Sequence, residues 1–137
     1  MIDELGFIRV GAIVPKIKIA NPEFNSNEIV EQIKKAAKQN VDIVAVPECA
    51  ITGKTCEDLL KQDILLKSAM ENLEKIISET KDINIISIIG MPLEFENKIL
   101  SVAVVVQKGE ALAVITEELI FFLSISCELM CSFCVFR

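Results

Sequence analysis

The stretch VDIVAVPECAITGKTCEDL, Val41–Leu59, holds the residues best suited to chemistry. Glu48 follows Pro47 at the end of an apolar run. A carboxylate placed there is poorly hydrated, and with a cation nearby it suits the work of a general base. A thiol is an effective nucleophile only as the thiolate, so a thiol nucleophile needs such a base. Cys49 adjoins Glu48, and Cys56 comes after the turn residues. Neighbouring side chains on an extended segment point apart, so Cys49 is not predicted to serve Glu48. Both thiols are read as small buried apolar groups. The chain has no His, which removes the commonest general base and metal ligand.

The elements that must position Glu48 are given by periodicity and punctuation. Alternation from Phe7 predicts a strand over about Ile8 to Val14, ended by Pro15. NPEFNSNE reads as loop, and Asn25 with Glu28 has the capping-box spacing, so a helix is predicted from about Asn25–Asn27. Ile29, Ile33 and Ala36 or Ala37 form its apolar face, and Asn40 suits a left-handed terminator. Asp42–Val46 is short and β-branched, hence a central strand, stopped by Pro47. AITGKT is a turn in which Gly53 can take positive φ. Residues 57–81 read as helix broken near Gln62–Asp63, with a stripe of Ile64, Leu65, Ala69, Leu73, Ile76 and Ile77. Ile83–Gly90 is a buried strand ended by Met91–Pro92, and Glu94–Lys98 is a turn. Leu100–Gln107 and Ala111–Ile115 pair across a Lys108–Gly109 hairpin. Strands separated by helices pair parallel, and the hairpin adds antiparallel strands, so the sheet is predicted to be mixed.

The composition fits one compact unit of 137 residues: 52% are hydrophobic and 25% charged. The formal charge is −6, with lysines spread along the helices, so no basic face for nucleic acid or anionic lipid is expected. The front of the chain, MIDELGFIRV, has acidic residues and no long apolar run, which predicts no secretory signal and a cytoplasmic location. The five cysteines are then expected as thiols rather than disulfides.

Gly6-Phe-Ile-Arg-Val10, Val41–Glu48, Ile51-Thr-Gly53, Thr55-Cys56 and Asp58-Leu59 together resemble the nitrilase, or carbon–nitrogen hydrolase, superfamily. The narrower resemblance is to the glutaminase domain at the N-terminus of glutamine-dependent NAD synthetases, which Gln62–Asp63, Thr80-Lys81-Asp82 and Ile89-Gly90-Met-Pro92-Leu93 also fit. It spans roughly Leu5 to Ile115. The resemblance implies an α/β fold, here an incomplete nitrilase-like α-β-β-α sandwich with a mixed sheet. It implies an amide hydrolase with a Glu, Lys and Cys trio that takes ammonia from glutamine and passes it to a synthetase domain. ATP and magnesium are implied for that synthetase domain, with no cofactor for this chain. Glu48 matches the catalytic base. Self-association, or pairing with synthetase subunits, is the partnership implied.

The sequence departs from the family pattern elsewhere. Thr116 stands at the position of the family's proline and Glu117 at that of its catalytic Lys. Lys54 replaces a Tyr of the glutamine pocket, and Leu100–Ser101 replaces a Tyr-Asn pair. The family's nucleophile lies after the residues that resemble it. One leg of the trio, Glu48, is therefore expected here, and the chain by itself is expected to be inactive. A non-catalytic module that pairs with nitrilase-like subunits is the alternative reading.

Residues 1–116 are taken as a partial carbon–nitrogen hydrolase domain, and 117–137 as a non-homologous, apolar, Cys-rich tail. Leu119–Arg137 is near the lower length limit of a membrane span but lacks a basic flank, so a span is not expected. Cys127-x-x-x-Cys131-Ser-Phe-Cys134 resembles the radical S-adenosylmethionine signature, in which three thiolates hold an iron–sulfur cluster. Apolar sequence without a site is the less demanding reading and is the one expected here.

Overall fold

The computed structural model describes residues 6–116. In chain order these form β1 (Val10–Ala12), α1 (Pro22–Lys38), β2 (Ile43–Ala45), a 3₁₀ helix (Lys54–Lys61), α2 (Asp63–Glu79), β3 (Ile86–Phe95), β4 (Lys98–Gln107) and β5 (Glu110–Thr116). The strands make one sheet in the order β1-β2-β3-β4-β5. β1, β2 and β3 run parallel, with Val10 opposite Ile43 and Ile43 opposite Ile86. β3–β4 and β4–β5 are antiparallel. The fold is α/β with the mixed sheet that the alternation of elements predicts.

Both crossovers step in the same direction across the sheet, so right-handed connections put α1 and α2 on one face. The helices also bond to each other, the Ser26 hydroxyl donating to Asn72 Oδ1 at 2.8 Å. The core lies between helices and sheet. Ile29, Val30 and Ile33 from α1 and Ala69, Leu73 and Ile76 from α2 meet Val44, Ile89, Met91, Val102, Val104 and Val106. Each fully buried Ile or Val side chain stabilises the fold by about 1.5–3 kcal/mol relative to exposure. Alternation puts Val10, Ala45, Ile86, Ile88, Ala103, Val105, Ala113 and Ile115 on the other face. Among the described residues no helix covers that face, and Val10 is 70% exposed.

The elements differ from the sequence reading in several places. α1 begins at Pro22, inside the segment read as loop. Asn21 is its N-cap, accepting from the Phe24 N–H at 3.0 Å, and Pro22 occupies a first-turn position whose N–H would be unsatisfied in any case. Asn25 is therefore inside the helix and fully buried. β1 is shorter than predicted, although Ile13 N still donates to the Ala45 carbonyl at 2.8 Å. β3 continues through Pro92 to Phe95. Only Ile86–Ile88 pair with β2, so Pro92 sits where the strand is bordered on one side alone and no ladder donor need be lost there. Ile64 is 82% exposed, because the buried stripe of α2 is Leu65, Leu66, Ala69, Asn72, Leu73 and Ile76, and Ile64 falls outside it. The turns match their chemistry. Glu96 and Asn97 both have positive φ, as do Lys108 and Gly109, which is the form that joins twisted hairpin strands. Asn40 also takes the left-handed conformation, with φ 56°.

Candidate active site

Glu48 lies just beyond the C-terminal end of β2. Val46 N makes the last bond to β3, donating to the Ile88 carbonyl at 2.8 Å, and Pro47 then stops the ladder. The chain turns at once: Gly53 N donates to the Cys49 carbonyl at 2.7 Å, and Thr52 N to the same carbonyl at 3.2 Å. Cys49 has φ 50°, a conformation that costs a non-glycine residue free energy and persists only where its surroundings enforce it. Gly53, with φ 88°, closes the turn.

Two neighbours hold this turn in place. Gly90 of β3 lies directly beneath it, and a Cβ there would stand 2.4 Å from the Pro47 carbonyl oxygen and 2.7 Å from Glu48 Cα. Asn25 reaches across from α1. Its amide donates to the Ile51 carbonyl at 2.9 Å and to the Lys18 carbonyl at 2.8 Å, and its oxygen accepts from Lys18 N at 2.7 Å. One buried side chain thus ties the site turn, the segment before α1, and α1 itself together.

The Glu48 carboxylate is engaged on both oxygens. The Ser101 hydroxyl, on β4, donates to Oε1 at 3.1 Å, and the Lys54 ammonium donates to Oε2 at 2.5 Å. Lys54 is mostly exposed and Glu48 is about one-third exposed, so this pair sits at a mouth and not in the core. Cys49 Sγ lies 3.7 Å from Ser101 Oγ. A depression of about 220 Å³ opens beside these groups, lined by Val46, Glu48, Gly90, Ser101, Val102, Ala103 and Ile115. Its wall is largely apolar, with the carboxylate and the hydroxyl as its polar features. Such a site can bind a small molecule through its apolar part and present a base to it.

The sequence reading singled out Glu48, and the structure puts it at this mouth. It did not bring Lys54 or Ser101 to the carboxylate. Lys54 is six positions on, across a turn whose shape spacing does not give, and Ser101 is on another strand. The expectation that Cys49 points away from Glu48 assumed an extended backbone, whereas both residues belong to the turn after β2. Cys56 is buried and donates to the Thr52 carbonyl at 2.9 Å. Cys127, Cys131 and Cys134, like Glu117, lie outside the described residues. Among the described residues no three His, Cys, Asp or Glu side chains are grouped to hold a metal ion. No helix among them is long and apolar enough to cross a membrane.

Comparison with known proteins gives a consistent picture. The Carbon-nitrogen hydrolase family profile matches residues 9–124. The glutamine-dependent NAD(+) synthetase of Mycobacterium leprae is 28% identical over 109 residues, covering 80% of this chain and 16% of its own length. That of Acinetobacter baylyi is 37% identical over 65 residues, 47% of this chain and 12% of the relative. The chain thus spans about a sixth of the first of these relatives and less of the second. Among solved structures, the glutamine-dependent NAD(+) synthetase of Cytophaga hutchinsonii superposes with a TM-score of 0.73 at 27% identity, covering 78% of this chain and 18% of that one. An amidase of the nitrilase superfamily from Nesterenkonia shares the fold, with a TM-score of 0.66 at 19% identity, over 80% of this chain and 42% of that one.

Proposed function

We propose, on the premise that this chain belongs to the carbon–nitrogen hydrolase family, that it is N-terminal glutaminase sequence of a glutamine-dependent NAD synthetase, with Glu48 as the general base. Glutamine is the substrate of this reading, and ammonia the product handed on. The observation that carries it is Glu48 itself: a carboxylate at the mouth of an apolar depression, fixed by a hydroxyl on one oxygen and an ammonium on the other.

The geometry suits the task. An ammonium beside the carboxylate favours its ionised form, so it is ready to accept a proton. The Ser101 bond fixes the plane of the carboxylate, which leaves less reorganisation for the moment of transfer. A nucleophilic thiol gives its proton to Glu48 and attacks the amide carbon. The carbon–nitrogen bond breaks as Glu48 returns that proton to the departing nitrogen, which leaves as ammonia. Water, deprotonated by the same carboxylate, then hydrolyses the thioester. The residues 1–116 supply the base and its supports in this scheme. ATP and magnesium belong to the synthetase portion, and the setting is cytoplasmic.

Within these 137 residues the trio is incomplete, since Glu117 stands where the family has its Lys. The chain incubated with glutamine is expected to release no ammonia above the protein-free rate. Ammonia release that disappears in Glu48→Ala would overturn that expectation. The open sheet face, with Val10 exposed and Val105 and Ile115 half-buried, calls for a covering partner, either a second copy or a synthetase subunit. Sizing chromatography is expected to show an assembly larger than one chain, and a lone monomer at micromolar concentration would count against it.

A further inference from the structure

Attack on an amide carbon puts negative charge on the amide oxygen, and a donor or cation already in place lowers the barrier to forming it. Among the described residues, the side chains that line the depression beside Glu48 do not offer one. Apart from Glu48 and Ser101 they are apolar. Glu48 is itself the base, and the single hydroxyl proton of Ser101 is directed to Glu48 Oε1 at 3.1 Å. A cation does reach this mouth from the rim: the Lys54 ammonium donates to Glu48 Oε2 at 2.5 Å. We propose that Lys54 is the cation of amide hydrolysis at this site, stabilising the oxyanion as Glu48 takes up the thiol proton. This rests on the glutaminase reading above and adds to it the group that meets the developing charge.

The fold holds the base of this side chain firmly. Lys54 opens the 3₁₀ helix directly after the turn that carries Glu48. Three carbonyls of that turn are bonded: Cys49 O accepts from Gly53 N at 2.7 Å, Ile51 O from the Asn25 amide at 2.9 Å, and Thr52 O from Ala20 N at 2.8 Å. Cys56 Sγ donates to the Thr52 carbonyl as well, at 2.9 Å, which ties the start of the helix back to the turn. The ammonium is therefore presented to Glu48 by backbone that is fixed on both sides of it, so less reorganisation is left for the reaction. The charges balance in the step. The thiol sulfur bonds to the amide carbon, the carbonyl π pair moves to oxygen, and the thiol proton passes to Glu48. Glu48 becomes neutral as the amide oxygen becomes negative, so the ammonium faces one negative charge before the transfer and one after it. Its interaction with the oxyanion exists only once the reaction is under way, and an interaction of that kind raises kcat. The nucleophile of this reading lies after the residues that resemble the family, so the expected lack of ammonia release by this chain is unchanged.

Glu117, at the position of the family's lysine, makes the test possible. Residues 9–117 would replace their counterparts in the synthetase of Cytophaga hutchinsonii, whose own chain supplies the rest. NAD formation is measured with glutamine and, as a control on the synthetase portion, with free ammonia. The chimera is expected to use glutamine at a rate within about tenfold of its Glu117→Lys form, because Lys54 already supplies the charge. Lys54→Met, which keeps the length without the charge, is expected to lower the glutamine-driven kcat by about 10²-fold with little change in KM, and Lys54→Arg to keep most of it. In the Glu117→Lys form the same Lys54→Met change is expected to cost less than about tenfold, since a second cation then shares the task. A merely structural lysine would cost the same in both forms. Glutamine use by the Glu117→Lys form alone, or an equal loss from Lys54→Met in the two forms, would overturn the proposal and leave Glu48 as the base untouched. A chimera that uses ammonia but not glutamine in either form would overturn the glutaminase reading and this proposal with it.

Discussion

Gly90→Ala is expected to lower the stability of the chain by about 2 kcal/mol or more, and to shift the turn that carries Glu48. The added Cβ would lie 2.4 Å from the Pro47 carbonyl oxygen, 2.7 Å from Glu48 Cα and 2.9 Å from Cys49 N. All three are backbone atoms, so no side-chain rotation relieves the contact. Gly90 cannot retreat either, because it is paired with Ala103 in the middle of β3 and β4. The turn above it is already constrained by the positive φ of Cys49. Gly11 makes a fair comparison. Its added Cβ would meet only a Val41 methyl at 3.4 Å, which can give way, so Gly11→Ala is expected to cost less than about 1 kcal/mol. Urea denaturation reads both, and a midpoint for Gly90→Ala equal to the parent's would show that the close approach does not exist in solution.

Asn25→Ala is expected to cost about 3 kcal/mol, since it strips partners from three backbone groups at a fully buried position. Each buried polar group left without a partner costs roughly 1–3 kcal/mol, and water entering the vacated space recovers part of this. The loss differs in kind from that of the cap. Asn21→Ala removes one exposed bond to Phe24 N and should cost about 1 kcal/mol. The ratio of the two midpoint shifts in urea tests the assignment. Equal shifts would mean that Asn25 is not the tie between α1, Lys18 and the site turn.

These two residues also show how far local sequence reaches. Local patterns carry the elements: Asp42–Val46 reads as a central strand, and β2 (Ile43–Ala45) lies there, although only Val44 of it is buried; Asn40 and Gly53 can take positive φ, and Lys108–Gly109 can close a hairpin. Punctuation misleads where one residue type serves two purposes. Asn25 has a capping-box partner in Glu28, yet Asn21-Pro22 is the better start, since proline fits the first turn of a helix and offers no N–H to satisfy. Pro92 reads as a strand end, and it would be one if β2 extended beside it. Partnerships across the fold leave no mark in local spacing. Ser101 lies 53 residues after Glu48, and only the sheet register brings β4 to the end of β2. Gly90 does carry a signal, since an isolated glycine inside a strand often marks a close backbone approach. The reasoning about Cys49 assumed an extended backbone, and side-chain alternation stops where the strand does.

Glu48 as the base is tested most directly by transplanting its setting. Residues 9–116 would replace their counterparts in the synthetase of Cytophaga hutchinsonii, so that the recipient supplies the rest of its own chain. NAD formation would be measured with glutamine and, separately, with free ammonia as the nitrogen source. Glutamine-driven formation is expected in the chimera, and Glu48→Gln should lower it by about 10²-fold or more. Ammonia-driven formation should not change. A glutamine-driven rate that survives Glu48→Gln, or one absent from a chimera still active with ammonia, would contradict the assignment.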